Sequence, residues 1–149
     1  MSLGATAESD ILKLIFQNTN WANLGDATGL RGSTAAGSFY ISLHTATLTS
    51  TATQSTSEAA YTGYARVAVA RSAGGWNITG SNPTSAANVA AVTFGAATAG
   101  TETETNFVVG RDVSGVGEVL WYGALTSGLA VSAGITPSFA IGALVCTLL

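Results

Sequence analysis

The clearest pattern in the chain is an alternation of apolar and polar side chains over residues 64–71. Successive side chains of a strand point to opposite faces, so Val67 and Val69 would share one face while Arg66 lies on the other. This period of two predicts a half-buried strand. The chain would enter that strand through a turn at Gly63, where glycine tolerates a positive φ.

Other segments repeat this alternation or form short apolar runs between Gly and Pro turn signals. In the first of them, Phe39 and Leu43 are predicted to face inward and His44 outward. The predicted strands cover residues 39–45, 64–71, 76–79, 88–94, 101–109, 118–124, 129–132, 135–139 and 143–149. Turn signals about every 8–12 residues are typical of sandwiches and jelly rolls. The pattern therefore predicts an all-β protein, an antiparallel β-sandwich or jelly roll of about eight strands with a short N-terminal helix.

Helical periodicity is confined to residues 8–18, where Ser9 or Asp10 is the predicted N-cap. A helix of about three turns is marginal alone, so its apolar stripe must pack on something. The stripe, together with a tryptophan that follows it, offers more apolar surface than one small sandwich needs to cover, which predicts a homo-oligomer, either a dimer or a trimer. The residues of this predicted oligomer interface are Ile11, Leu14, Ile15, Phe16 and Trp21.

The 149 residues fit a single domain. We predict a helix-and-loop arm over residues 1–38, its loop spanning 25–38, and a β-sandwich over residues 39–149. The Ser- and Thr-rich stretch at 45–57 is interpreted as a mobile surface loop because strong strands flank it. No helix-length segment separates the strands, which excludes parallel βαβ units.

Charge is scarce, at 9% of residues with a net charge of −3. The absence of a basic stripe makes nucleic acid an unexpected partner. A single cysteine rules out an internal disulfide. Residues 119–149 carry no charge, but repeated Gly, Pro, Ser and Thr residues make them too polar and too broken for a membrane span. We also expect no export signal in the chain.

Few residues suggest chemistry. His44 is the sole histidine and has no acid beside it in sequence, so it is interpreted as a surface or rim residue rather than part of a triad. One His and one Cys make a histidine-based metal site implausible. Glu102 and Glu104, about 7 Å apart along a strand, could in principle serve glycoside hydrolysis, but a Thr-Glu-Thr-Glu-Thr run is more typical of a solvated edge strand. We predict no enzyme activity, no metal and no cofactor.

Recognition is better supported than catalysis. Residues 57–71 hold two of the four arginines and two of the four tyrosines, residue types that favour interfaces. The alternative, that the aromatic residues are core and the arginines merely solvated, stays open. The predicted partner-binding residues are Tyr61, Tyr64, Arg66, Arg71 and Trp76.

Several stretches together resemble a family of small virion proteins of tailed bacteriophages, whose members are often labelled tail fibre proteins. The stretches that carry the resemblance are residues 39–46, 57–71 with Gly75 and Trp76, 123–126, 129–132 and 134–139. The chain is also similar in size and strand content to the jelly-roll cement proteins that decorate phage capsids. It departs from the family after Ala46, where a Ser/Thr run replaces an acidic Pro-Gly turn.

The resemblance implies a non-enzymatic structural protein of the virion, made in the host cytoplasm. Its partners would be the major capsid protein or other virion proteins. We favour capsid decoration, because a lone low-charge sandwich suits many equivalent sites on a shell. The alternative is a tail or tail-fibre component, which could be a carbohydrate- or receptor-binding module. On the capsid hypothesis, replacing Tyr64 and Arg66 by Ala should release the protein from capsids with little change in its melting temperature.

Overall fold

A computed structural model describes residues 3–22, 24, 32–81 and 83–148 of the chain. In chain order the described elements are the helix α1 (Ala5–Gln17) and the strands β1 (Ser38–His44), β2 (Val67–Ala70), β3 (Trp76–Thr79), β4 (Thr84–Asn88), β5 (Val92–Thr93), β6 (Glu102–Gly110), β7 (Val119–Val131), β8 (Ser138–Phe139) and β9 (Val145–Leu148). They fall into two compact units. The first comprises Met1–Ser38, Ala70–Ala91 and Ala140–Leu149, and the second comprises Phe39–Val69 and Val92–Phe139.

In the first unit, helix α1 packs against a three-stranded antiparallel sheet of order β3-β4-β9. Phe16 meets the buried Trp76 edge-on, with ring centroids 4.7 Å apart. The buried face of the helix is Glu8, Leu12 and Phe16, at the i, i+4 spacing that aligns side chains along one helix face.

The ends of α1 differ from the prediction. The helix begins three residues early, with Gly4 at the N-cap position and no side-chain cap, so Ser9 and Asp10 are not caps. Alanine is the strongest helix former, and the Ala-Thr-Ala start extends the helix past the predicted cap. The helix ends at Asn18, which takes the left-handed conformation with φ 56°. The predicted loop at 25–38 lies partly outside the described residues.

In the second unit, a four-stranded sheet has the order β2-β1-β6-β7. β6 pairs antiparallel with both β1 and β7, and Leu43 of β1 lies opposite Phe107 of β6. A short two-stranded sheet, β5-β8, packs on it through Phe139, whose ring centroid is 5.7 Å from that of Phe107 and 6.2 Å from that of Phe94. Two layers in contact through aromatic side chains form the core of this unit.

The prediction of an all-β protein with antiparallel sheets and one short N-terminal helix is confirmed. Individual strands differ. The strand predicted over 64–71 is only β2, Val67–Ala70, because residues 61–64 form a tight turn in which the Tyr64 N–H donates to the Tyr61 carbonyl. The segments predicted at 118–124 and 129–132 are joined in the single strand β7. No helix in the described part of the chain has the length and apolarity needed to cross a membrane.

Candidate functional site

An ion pair between Arg66 and Glu58 lies beside the loop that connects β6 and β7 in the second unit. The Arg66 guanidinium binds the Glu58 carboxylate through two parallel hydrogen bonds, Nε to Oε1 and Nη2 to Oε2, each 2.7 Å long. The Arg66 side chain is only 3% exposed. Bidentate geometry with little water nearby makes this pair stronger than an ordinary surface ion pair. The hydrogen bond to Glu58 is also the main cause of the raised pKa of Arg66.

The same guanidinium holds a loop in place. Arg66 Nη1 donates to the Asp112 carbonyl at 2.9 Å, and Nη2 donates to the Gly115 carbonyl at 2.7 Å. The buried Gln54 holds the loop from another side. Its side-chain Oε1 accepts from the Asp112 N–H, and its backbone N–H donates to the Gly117 carbonyl. The loop between β6 and β7 is therefore anchored by backbone contacts on two sides. We call residues 111–118 the anchored loop.

Two valines project from the anchored loop. Val113 is 62% exposed and Val116 is 78% exposed. Next to the loop lies an open cleft of about 320 Å³. Its lining residues are Glu58, Ala59, Tyr64, Ala65, Arg66, Val113, Ser114 and Gly115. A rigid loop that presents β-branched apolar side chains beside a cleft is suited to contact with another protein, because little conformational entropy is lost on binding.

The two tyrosines of the 57–71 stretch are structural parts of this site. The Tyr64 hydroxyl donates to Glu58 Oε1 at 3.0 Å and accepts from the Leu43 N–H at 3.2 Å. Its ring stacks on Phe94, 6.1 Å away. Burial, with the Glu58 charge as a second cause, raises the pKa of Tyr64 well above its usual value. Tyr61 is buried, and desolvation raises the pKa of its hydroxyl to about 12.

The prediction that His44 lies at the surface is wrong, because the side chain is fully buried. Its Nδ1 is 2.8 Å from the Thr56 carbonyl, which can only accept, so Nδ1 carries the proton and Nε2 accepts from the Ser42 hydroxyl at 2.8 Å. Desolvation lowers the pKa of His44, which keeps the ring neutral. A carbonyl stands where a triad would place an acid, so this Ser–His pair is a core hydrogen bond.

The edge-strand interpretation of Glu102 and Glu104 is also wrong. β6 lies between two strands, and Glu104 has 0% exposure with no hydrogen-bond donor on either carboxylate oxygen within the described chain. Desolvation, and then the neighbouring Glu102 carboxylate, raises the pKa of Glu104 to about 8. Glu102 accepts from the N–H groups of Ala60 and Tyr61, each at 2.9 Å. A raised pKa would suit a general acid, but a fully buried carboxyl cannot reach a glycosidic bond.

The other two predicted partner-binding residues lie in the first unit. Arg71 caps the end of α1: its Nε donates to the Ile15 carbonyl at 2.7 Å and its Nη2 to the Leu14 carbonyl at 3.2 Å. Those carbonyls belong to the last turn, where a cation also complements the helix dipole. Trp76 is fully buried against Phe16. The structure thus brings Tyr61, Tyr64 and Arg66 together and places the other two elsewhere.

The predicted oligomer interface is divided between core and surface. Phe16 is fully buried in its own unit, whereas Ile11, Leu14, Ile15 and Trp21 are half-buried. Whether these residues contact a second copy stays a prediction.

Two residues that carry the site were not selected from the sequence. Glu58 lies inside the 57–71 stretch, and its carboxylate is the partner that the nearby arginine needed. Gln54 is the only long polar side chain in a Ser/Thr run, and its role depends on Gly110 and Gly117, where any Cβ would overlap it. The loop groups that Arg66 and Gln54 contact lie 46 to 63 residues away along the chain, so no local sequence pattern indicates these contacts.

A second opening in this unit, of about 220 Å³, is mainly apolar. Phe94, Phe139, Pro137 and Leu43 form part of its wall, with hydroxyl groups from neighbouring Ser and Thr residues. Among residues 3–22, 24, 32–81 and 83–148, no three His, Cys, Asp or Glu side chains are grouped so that they could hold a metal ion.

Comparison with known families places this geometry in context. A family model described as podophage GP4 fiber I protein gp80 matches residues 2–147, nearly the whole chain. The chain belongs to this family. Membership in the gp80 fibre family supports a bacteriophage virion structural protein of tail-fibre type, and it favours the tail-fibre alternative over capsid decoration. No curated protein matches the sequence significantly.

Proposed function

We propose that this chain is a non-enzymatic structural component of a phage tail fibre, made in the host cytoplasm, which binds neighbouring virion proteins. The observation that carries the proposal is the fibre family match over residues 2–147. The chemistry of the second unit agrees with it. The side chains of His44 and Glu104, both considered for catalysis, are fully buried.

The anchored loop is the proposed contact with a neighbouring virion protein. Val113 and Val116 would be buried in that contact, each contributing about 1.5–3 kcal/mol if fully covered. Arg66 and Tyr64 would act indirectly, since their polar atoms already bind Glu58 and backbone groups. This changes the role of the predicted binding residues, which would position the loop instead of touching the partner.

The proposal is tested on phage that carry a double variant, Val113→Asp with Val116→Asp. Introducing two charges into an apolar contact should remove most of the protein from purified particles, as measured by quantitative mass spectrometry. Immunogold labelling of wild-type particles should place the protein on the tail. Ile141→Asp, a change at another highly exposed apolar residue, is the matched control and should leave the amount unchanged.

Two results would refute parts of the proposal separately. Gold label on the heads would refute the tail-fibre assignment and return capsid decoration. Full incorporation of the double variant, with label on the tail, would refute the loop contact alone.

A further inference from the structure

The second unit contains a small apolar pocket, the mainly apolar opening of about 220 Å³. Its innermost lining residues are Leu43 and Phe94, which are 1% and 3% exposed. The half-buried Phe139 lies next to them. The Phe94 N–H donates to the Pro137 carbonyl at 3.0 Å, and the Phe94 ring stacks on Tyr64. Because these contacts hold the lining in place, the pocket is preformed.

An irregularity in β7 supplies one wall of the apolar pocket. Asn106 of β6 is paired with Ala124 of β7, and Glu104 is paired with Leu129. One residue of β6 therefore lies opposite the four residues 125–128 of β7. Extra residues of this kind bend a strand and redirect its side chains. The side chains from this segment that line the pocket are those of Leu125, Thr126 and Ser127.

The lining of the apolar pocket restricts what it can accept. No charged side chain lines it among the residues that the structure describes. A charged group that entered would lose its water without gaining a partner, so the occupant must be apolar. A cavity of about 150 Å³ holds one benzene ring. The apolar pocket is therefore large enough for one protruding side chain, but not for a helix or a strand.

The anchored loop of the same unit presents a side chain of this kind. Val116 is 78% exposed, more than any other large apolar side chain in the described part of the chain. Its backbone is held on both sides, because the Gly115 carbonyl accepts from Arg66 and the Gly117 carbonyl accepts from the Gln54 N–H. A side chain on a backbone that is already fixed loses little conformational entropy when it is inserted into a partner.

Val116 cannot reach the apolar pocket of its own chain. It precedes Val119, the first residue of β7, whereas Leu125 lies six residues further along that strand. At the rise of an extended strand this separation is roughly 20 Å, far more than the length of a valine side chain. Each copy of the chain therefore carries both parts of a contact that only a second molecule can complete.

We propose that Val116 of one copy inserts into the apolar pocket of a second copy. This inference rests on the proposed function in one respect, since it names a second copy as the neighbour that the anchored loop contacts. The contact joins two different surfaces of the chain. It does not involve α1, so it is distinct from the oligomer interface predicted from the sequence.

Two variants of the full-length chain each remove one part of the contact. Val116→Asp places a carboxylate where the pocket offers no partner, and Thr126→Asp with Ser127→Asp places charge on the wall of the pocket. All three side chains are exposed, so both variants should fold, which circular dichroism checks. Wild type should associate at about 1 mM in sedimentation equilibrium, whereas each variant alone should be monomeric.

An equimolar mixture of the two variants is the decisive sample. The intact valine of one variant then meets the intact pocket of the other, so the mixture should form one-to-one pairs and nothing larger. Ile141→Asp is the control, because it adds the same charge at another highly exposed apolar residue, and it should associate like wild type.

The proposal is overturned if wild type is monomeric at about 1 mM, if either folded variant associates like wild type, or if the mixture stays monomeric. Loss of association in Ile141→Asp would also overturn it, since the contact would then not be specific to Val116.

The failure of this inference can be told apart from failure of the proposed function. If wild type is monomeric but the variant with Asp at both loop valines is lost from particles, self-association is overturned and the loop contacts a different virion protein. If the mixture pairs as expected but immunogold label lies on the heads, the tail-fibre assignment is overturned and the contact between copies stands.

Discussion

At the scale of single residues, burial decides what each ionisable side chain does. Glu104 is fully buried, with no donor on its oxygens among the residues that the structure describes, and its raised pKa of about 8 follows mainly from that burial. The Arg66 side chain is also almost completely buried, but it donates four hydrogen bonds to oxygen acceptors. The charged form of Glu104 therefore destabilises the fold, whereas the charged and hydrogen-bonded guanidinium of Arg66 stabilises it.

Replacing Glu104 by Gln should change how stability depends on pH. The folded pKa of about 8 lies above the ordinary value of 4.5, so the stabilisation is fully present below pH 4.5 and is lost as the pH rises through 8. Glutamine mimics the protonated carboxyl and cannot ionise. The gain of Glu104→Gln over wild type should therefore grow from near zero at pH 4.5 to roughly 2–4 kcal/mol at pH 9, as measured by urea unfolding.

The difference between the two proteins isolates Glu104, because the buried His44 titrates in both. Glu102→Ala serves as the contrast: it removes the acceptor of two backbone N–H groups, so it should destabilise the fold. A constant difference between wild type and Glu104→Gln across pH 4.5–9 would contradict the assignment.

Replacing Arg66 by Lys should lower stability. Lysine keeps the positive charge but cannot reproduce the bidentate pair with Glu58 together with the two loop contacts, so the loss should be about 1–3 kcal/mol. Arg111→Lys is the matched control, since Arg111 is exposed and makes only surface ion pairs, and its effect should stay within about 0.5 kcal/mol. Thermal unfolding of both variants measures this, and equal melting temperatures would refute it. The expectation that the Tyr64 and Arg66 alanine variant keeps its melting temperature is replaced by this one.

At the scale of elements, the anchored loop depends on glycine at the end of β6. A Cβ at Gly110 would overlap the Gln54 side-chain amide, and Gln54 is fully buried. The glycine and the glutamine therefore act as one unit, although they lie on different segments.

Gly110→Ala should destabilise the protein by roughly 1–3 kcal/mol, because the added methyl group displaces Gln54 from the loop. In a Gln54→Ala background the same change should cost little, since the overlapping atoms are gone. A double-mutant cycle measured by urea unfolding reports the coupling. Additive effects of the two changes would show that the overlap does not control this site.

At the scale of the whole molecule, the protein has few charged residues, and several of them bind groups within the chain. Arg66 and Arg71 both bind groups of their own chain, so neither guanidinium is fully available for contacts with other proteins.

The sequence by itself determined the fold class and the type of several elements, but not all of their bounds. The alternation at Phe39–His44 and the turn signals around 76–79 gave strands close to the observed β1 and β3, and the helical period gave α1. These elements were predictable because their periods depend on neighbours along the chain. The scarcity of charge was equally visible and already pointed away from nucleic acid.

Only the tertiary structure decided which faces are buried. The alternation placed His44 and Glu104 together on the polar faces of their strands, but it could not show that these faces are covered as fully as the apolar ones. The destination of the Arg66 guanidinium was likewise decided by Glu58 and a loop almost fifty residues away. Burial and pairing depend on segments distant in sequence, and a local pattern carries no information about what packs above it.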